Sequence, residues 1–155
     1  MNEAHIHLIL NHIPILFPIV AGMVLIIGFF TKSELLKRTS YFILIISSII
    51  AIPTFSSGEE AEEIVEELRQ ISHRIIHIHE ELAEKFILIS HLTGLIALFA
   101  LWASWKKKAF ATWNGIILLI CIIALSTFGV LTGNSGGDIN HPEFNLQDAE
   151  HEAHE

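Results

Sequence analysis

The chain has almost no cysteine: Cys121 is alone and lies inside an apolar run. One thiol excludes an internal disulfide, a Cys-x-x-Cys redox pair and covalent attachment of a c-type haem through Cys-x-x-Cys-His. There is no His-Glu-x-x-His, no nucleophile motif and no nucleotide loop, so the sequence does not read as an enzyme on its own. The N-terminus, Met1-Asn2-Glu3-Ala4-His5, lacks a basic region and a small-residue cleavage site ahead of the first apolar run. It reads as a retained first span and not as a signal peptide. Charge is absent from residues 13–30. What fills the space is apolar: 52% of the 155 residues are hydrophobic and mean hydropathy is +0.54. Soluble domains hold about 45–50% apolar residues, so one small membrane domain is expected.

Four apolar segments are present. A bilayer core of ~30 Å takes roughly 20 helical residues, which places spans at about residues 8–30, 36–56, 83–105 and 109–132. The connections between spans one and two and between spans three and four hold Lys32, Lys37, Arg38, Lys106, Lys107 and Lys108 against a single acid, Glu34, a net +5. The opposite side holds sixteen acids against Arg69, Arg74 and Lys85, a net −13, and all ten histidines fall there or at its membrane boundary. The positive-inside rule makes the lysine side cytoplasmic. The expected fold is therefore an all-α membrane protein with four transmembrane helices, both termini outside. An acidic amphipathic periplasmic helix at about residues 59–82 is expected between spans two and three, capped by Ser57 or Gly58. The acidic residues 144–155 read as a frayed tail. The outer charge disfavours nucleic acid as a partner.

The histidines divide by helical phase. From residue 73 onward, His73, His77, Glu80, Glu84 and His91 share one face, whereas His79 stands with Ala83, Phe86, Ser90 and Ala97 on the buried stripe. A His/Glu face at this spacing suits a divalent metal, although such a stripe is more often simply a hydrated surface. His91 lies deeper in its span, where an ionisable group is a functional candidate by default. In span one, Asn11 and His12 lie at the outer end. Pro14 and Pro18 free backbone carbonyls below them, kinking the helix or opening an acceptor near His12. His5 and His7 read as interfacial residues facing headgroups. In span four, Gly129-x-x-x-Gly133 permits close helix approach. The glycines from Gly133 to Gly137 allow tight turns or a backbone nest at the membrane surface, and they bring His141 and Glu143 back toward the outer ends of the spans.

Four stretches together resemble one bacterial family. They are His7-Leu8-Ile9-Leu10-Asn11-His12-Ile13-Pro14, Ser57-Gly58-Glu59-Glu60-Ala61-Glu62-Glu63, His79-Glu80-Glu81-x-Ala83 and Thr132-Gly133-x-x-Gly136-Gly137-x-Ile139-x-His141-Pro142-Glu143. The family comprises four-helix inner-membrane proteins of unknown function with a His-x-Pro signature in the first span, and the similarity covers roughly residues 5–143. Relatives are often fused or adjacent to cytochrome c-type or Rieske-type redox modules, which implies work in an electron-transfer chain. By this resemblance His12, His79, Glu80, His141 and Glu143 match motif positions, and His73, His77 and His91 do not.

The leading expectation is an inner-membrane electron-transfer subunit with a b-type haem or another metal at its periplasmic face. Two histidines on different spans suffice as axial ligands. His12 and His79 form the favoured pair, with His91 as a substitute for either, and Asn11 and Glu80 would orient the rings. A non-haem copper, zinc or iron site would use His12, His79, Glu80, His141 and Glu143. A cofactor-free accessory subunit of a larger redox complex is the alternative from another class. The bilayer and other membrane or periplasmic redox proteins are the expected partners, and a homo-oligomer stays open.

Overall fold

The structure is a computed structural model that describes residues 3–69, 73–107 and 111–140. Five helices follow one another: α1 (Glu3–Leu10), α2 (His12–Phe30), α3 (Glu34–Arg69), α4 (His73–Trp105) and α5 (Ala111–Asn140). Four stretches within them are long and apolar enough to cross a membrane: His7–Phe30, Glu34–Gly58, His73–Trp105 and Trp113–Ile139. There is no strand among the described residues. α2 and α4 each pack against both α3 and α5, which makes a four-cornered bundle, and α1 leans on α3.

The bundle is built for lipid. Its interior sets small and polar residues, with Ala21, Ser40, Ser47, Ser90, Thr93, Ala97 and Ala100 all at most 1% exposed, around a few large side chains, Leu25, Tyr41, Leu44, Leu118 and Leu125. Large apolar side chains such as Leu16, Met23, Phe42, Leu88, Leu95 and Ile120 point outward. Lipid tails are as apolar as leucine, so nothing drives large side chains inward. Close helix contact through small residues drives association instead. Gly94 shows how close: a Cβ placed there would lie 2.5 Å from both Cβ and Oγ of Ser48. The prolines of α2 use this proximity. Pro18 has no N–H, so the Pro14 carbonyl one turn earlier lacks its helical donor, and the Ser47 hydroxyl donates to that carbonyl from α3 at 3.4 Å.

The lysine end is closed by side chains. Arg38 donates through Nε to Ser104 Oγ at 2.9 Å and through Nη2 to the Ser104 carbonyl at 3.1 Å. Ser104 Oγ in turn donates to Glu34 Oε2 at 3.0 Å, and Lys37 binds Glu34 Oε1 at 2.8 Å. A planar guanidinium thus satisfies a carbonyl in the last turn of α4, where helical donors run out and the dipole favours a cation. Lys32 and Lys107 sit just past the ends of α2 and α4 with positive φ, 54° and 49°. After α2, Lys32 N–H reaches the Phe29 carbonyl and Ser33 N–H the Gly28 carbonyl. That is the Schellman closure, with lysine where glycine is usual.

Three boundaries differ from those read in the sequence. Span one is divided at Asn11, just ahead of the Pro14 position that cannot donate. The acidic helix expected to begin at about residue 59 does not start there. Residues 59–69 continue α3 and residues 73–82 open α4, because Ser57 donates its hydroxyl back to the Thr54 carbonyl at 3.0 Å and does not cap a new helix. The glycines of residues 133–137 are not turns. No glycine has positive φ, and α5 runs through them to Asn140. At Gly136 the missing side chain makes room for a neighbouring helix, whose His79 ring would lie 3.1 Å from a Cβ placed there. α3, with 36 residues, is about 54 Å long at 1.5 Å per residue, so it stands well clear of a ~30 Å hydrocarbon core.

Candidate functional site

Two imidazoles are seated at the end of the bundle opposite the lysines, each against a neighbouring helix. His79 on α4 is half-buried, and its Nδ1 lies 2.9 Å from Ser135 Oγ on α5. Ser135 Oγ donates to the Thr132 carbonyl at 3.0 Å. The hydroxyl proton is therefore committed, and Oγ accepts from Nδ1–H of His79. His7 on α1, also half-buried, places Nδ1 2.9 Å from the Thr54 carbonyl on α3. A carbonyl only accepts, so this proton too is on Nδ1. In the neutral ring this tautomer leaves the lone pair on Nε2. Histidine ligands are fixed in this way, one nitrogen tied to an acceptor and the other left to bind.

A glycine makes room for each ring. A Cβ on Gly136 would meet Cε1 of His79 at 3.1 Å, Nδ1 at 3.6 Å and Nε2 at 3.9 Å. A Cβ on Gly58 would meet the same atoms of His7 at 3.0, 3.2 and 4.0 Å. In each case Cε1 is the ring atom nearest the glycine, Nδ1 comes next and Nε2 third, so the rings meet the neighbouring helix in the same way. The two rings are near enough for His7 to interact electrostatically with His79.

The other residues singled out in the sequence are placed differently. His12 is exposed, with Nδ1 3.1 Å from the Leu8 carbonyl of its own first turn. His91 is half-buried, with Nδ1 2.7 Å from the Ile87 carbonyl of α4. Both keep a free Nε2, but each is tied to its own helix and not to a neighbour. Glu80 is exposed and faces His77, at 3.5 Å, on the wet side of α4. The Asn11 Oδ1 is buried without a hydrogen-bond partner. His141 and Glu143 lie outside the described residues. Among the described residues, no three His, Cys, Asp or Glu side chains come together to hold a metal ion.

Sequence reasoning missed His7 and both seats. The signal was present as repetition. His5-Ile6-His7 recurs as His77-Ile78-His79, and Thr54-x-x-Ser57-Gly58 recurs as Thr132-x-x-Ser135-Gly136. Compared with protein-family models, with curated proteins and with solved structures, the chain matches none.

Proposed function

We propose that this chain is an electron-transfer subunit of a bacterial inner membrane that holds a b-type haem at its histidine end, with that end facing the periplasm. The observation that carries this reading is His79. Its ring is half-buried at one end of an apolar bundle, its Nδ1 proton is committed to Ser135, and its Nε2 is left as an electron-pair donor. Haem suits the donor set better than a bare ion. A four-coordinate zinc or copper site needs three or four protein ligands. The porphyrin brings four nitrogens of its own and asks the protein for axial ligands alone. The bound iron would supply reversible one-electron chemistry. The protein's part is to orient the imidazole, hold its tautomer and keep the ring in a partly dehydrated place.

The orientation rests on charge. Lys32, Lys37, Arg38, Lys106 and Lys107 gather at the end away from His79, and lysine-rich connections stay on the cytoplasmic side. Periplasmic or membrane redox proteins are then the partners within reach. The test is optical and elemental: the chain purified in detergent gives a b-type pyridine haemochrome and iron near one per chain. A Soret-free protein that carries zinc or copper supports a non-haem site instead. One that carries neither a Soret band nor metal leaves the accessory-subunit alternative.

A further inference from the structure

The chain is built as one helical hairpin used twice. A shift of 72 residues carries His5-Ile6-His7 onto His77-Ile78-His79. The same shift carries all six buried residues of α2 (Pro14, Pro18, Ala21, Gly22, Leu25 and Gly28) onto buried residues of α4. A shift of 78 carries Thr54-x-x-Ser57-Gly58 onto Thr132-x-x-Ser135-Gly136, and carries buried Ser40, Leu44, Ser47 and Ala51 onto buried residues of α5. The six-residue difference falls between the end of α4 and the start of α5. Any two membrane helices share a phase at some shift. Here one shift matches the burial phase, the His-Ile-His motif and the paired glycines Gly22 and Gly94 at once.

The packing agrees. α2 and α4 occupy diagonal corners of the bundle, as do α3 and α5, the arrangement that a two-fold relation between the halves requires. The seats correspond atom by atom. In each, the threonine hydroxyl bonds back to its own helix at 2.8 Å and the serine hydroxyl donates to the threonine carbonyl at 3.0 Å. One turn on, a glycine meets the imidazole Cε1 edge. They differ in one link: the Nδ1 contact of His7 is the Thr54 carbonyl, whereas that of His79 is Ser135 Oγ, beside the corresponding Thr132 carbonyl. His12 and His91 have no imidazole counterpart, since the same shift pairs them with Glu84 and Ile19.

We infer that His7 and His79 are symmetry-equivalent ligands of one metal centre at the two-fold axis, so that the second axial ligand comes from α1 and not from His12 or His91. This rests on the haem reading above and identifies the ligand pair within it. Thr54, Gly58, Ser135 and Gly136 are the positioning residues of the two seats.

The experiment is a haemin titration of the full-length protein in detergent, comparing wild type with His7→Gly, His79→Gly, His12→Ala and His91→Ala. Wild type gives a six-coordinate low-spin spectrum. His7→Gly and His79→Gly each lose it with at least tenfold weaker haemin binding, and added imidazole restores it, a rescue that a misfolded chain would not show. His12→Ala and His91→Ala keep it. Loss through His12→Ala or His91→Ala with His7→Gly unaffected overturns the pair and leaves the haem reading standing. A wild type that takes up no haemin overturns both. Loss in His7→Gly that imidazole does not restore, in a chain that elutes and melts as wild type, also overturns the pair.

Discussion

At the scale of single residues, His79 is set apart from its neighbours by where its proton goes. His77 shares the wet face with Glu80 and Glu81, and helical phase alone separates it from His79. That much was legible in the sequence. The partner of His79 was not, because Ser135 is 56 positions away and no local pattern links the two. Orienting residues of this kind typically affect metal affinity by about 10–100-fold. Ser135→Ala, which removes the hydroxyl that Nδ1 of His79 contacts at 2.9 Å, is expected to weaken haemin binding within that range. Thr127→Ala, which removes only an exposed hydroxyl bonded to its own helix, leaves binding unchanged; equal affinities for wild type and Ser135→Ala would remove the seat from the account. Lys32 offers a test that involves no cofactor. A side chain in the left-handed region costs roughly 1–2 kcal/mol that glycine does not, so Lys32→Gly raises the thermal stability of the detergent-solubilised protein. A lower melting temperature would show that the lysine's interaction with the helix end and the headgroups outweighs the strain.

At the scale of elements, the positions of the four spans followed from apolar length, and their ends did not. α3 runs on past Gly58 and α5 past Gly133 because Ser57 and Ser135 bond back into their own helices. In the sequence the same residues look like caps and turns. Serine and glycine are ambiguous in this way. They cap helices in water, and inside a bundle they let helices touch. The lysine end shows the converse. Its basic residues read as a topology signal, yet Arg38 also joins α3 to the last turn of α4. Arg38→Ala removes two charge-assisted hydrogen bonds and leaves the Ser104 carbonyl without that donor. The expected loss is about 1–3 kcal/mol, read as a lower melting temperature. Arg38→Lys recovers only part of it, because an ammonium cannot bond the hydroxyl and the carbonyl as a planar fork does. Full recovery by lysine would reduce the contact to charge alone.

At the scale of the whole molecule, charge, histidine placement and internal symmetry share one axis. The lysines mark one end and the paired imidazoles the other. The gathering of the basic residues at one end was legible because charge is conspicuous in an apolar chain. The duplication was overlooked because its two halves agree mainly in glycines, serines and one His-Ile-His, which are easily lost among isoleucines. Sidedness is tested by single cysteines placed in a Cys121→Ala background. Gly137→Cys, exposed near the end of α5, reacts with an impermeant maleimide applied to intact cells, and Lys106→Cys, exposed at the lysine end, reacts only after permeabilisation. The reverse pattern would invert the molecule and place the histidine end in the cytoplasm. The most direct measurement of the central claim is the absorption spectrum of the purified, dithionite-reduced protein beside that of its His79→Ala variant. The account predicts the sharp visible bands of a six-coordinate b-type haem in the wild type and their loss in the variant. Identical spectra from the two proteins, with or without haem bands, would contradict it.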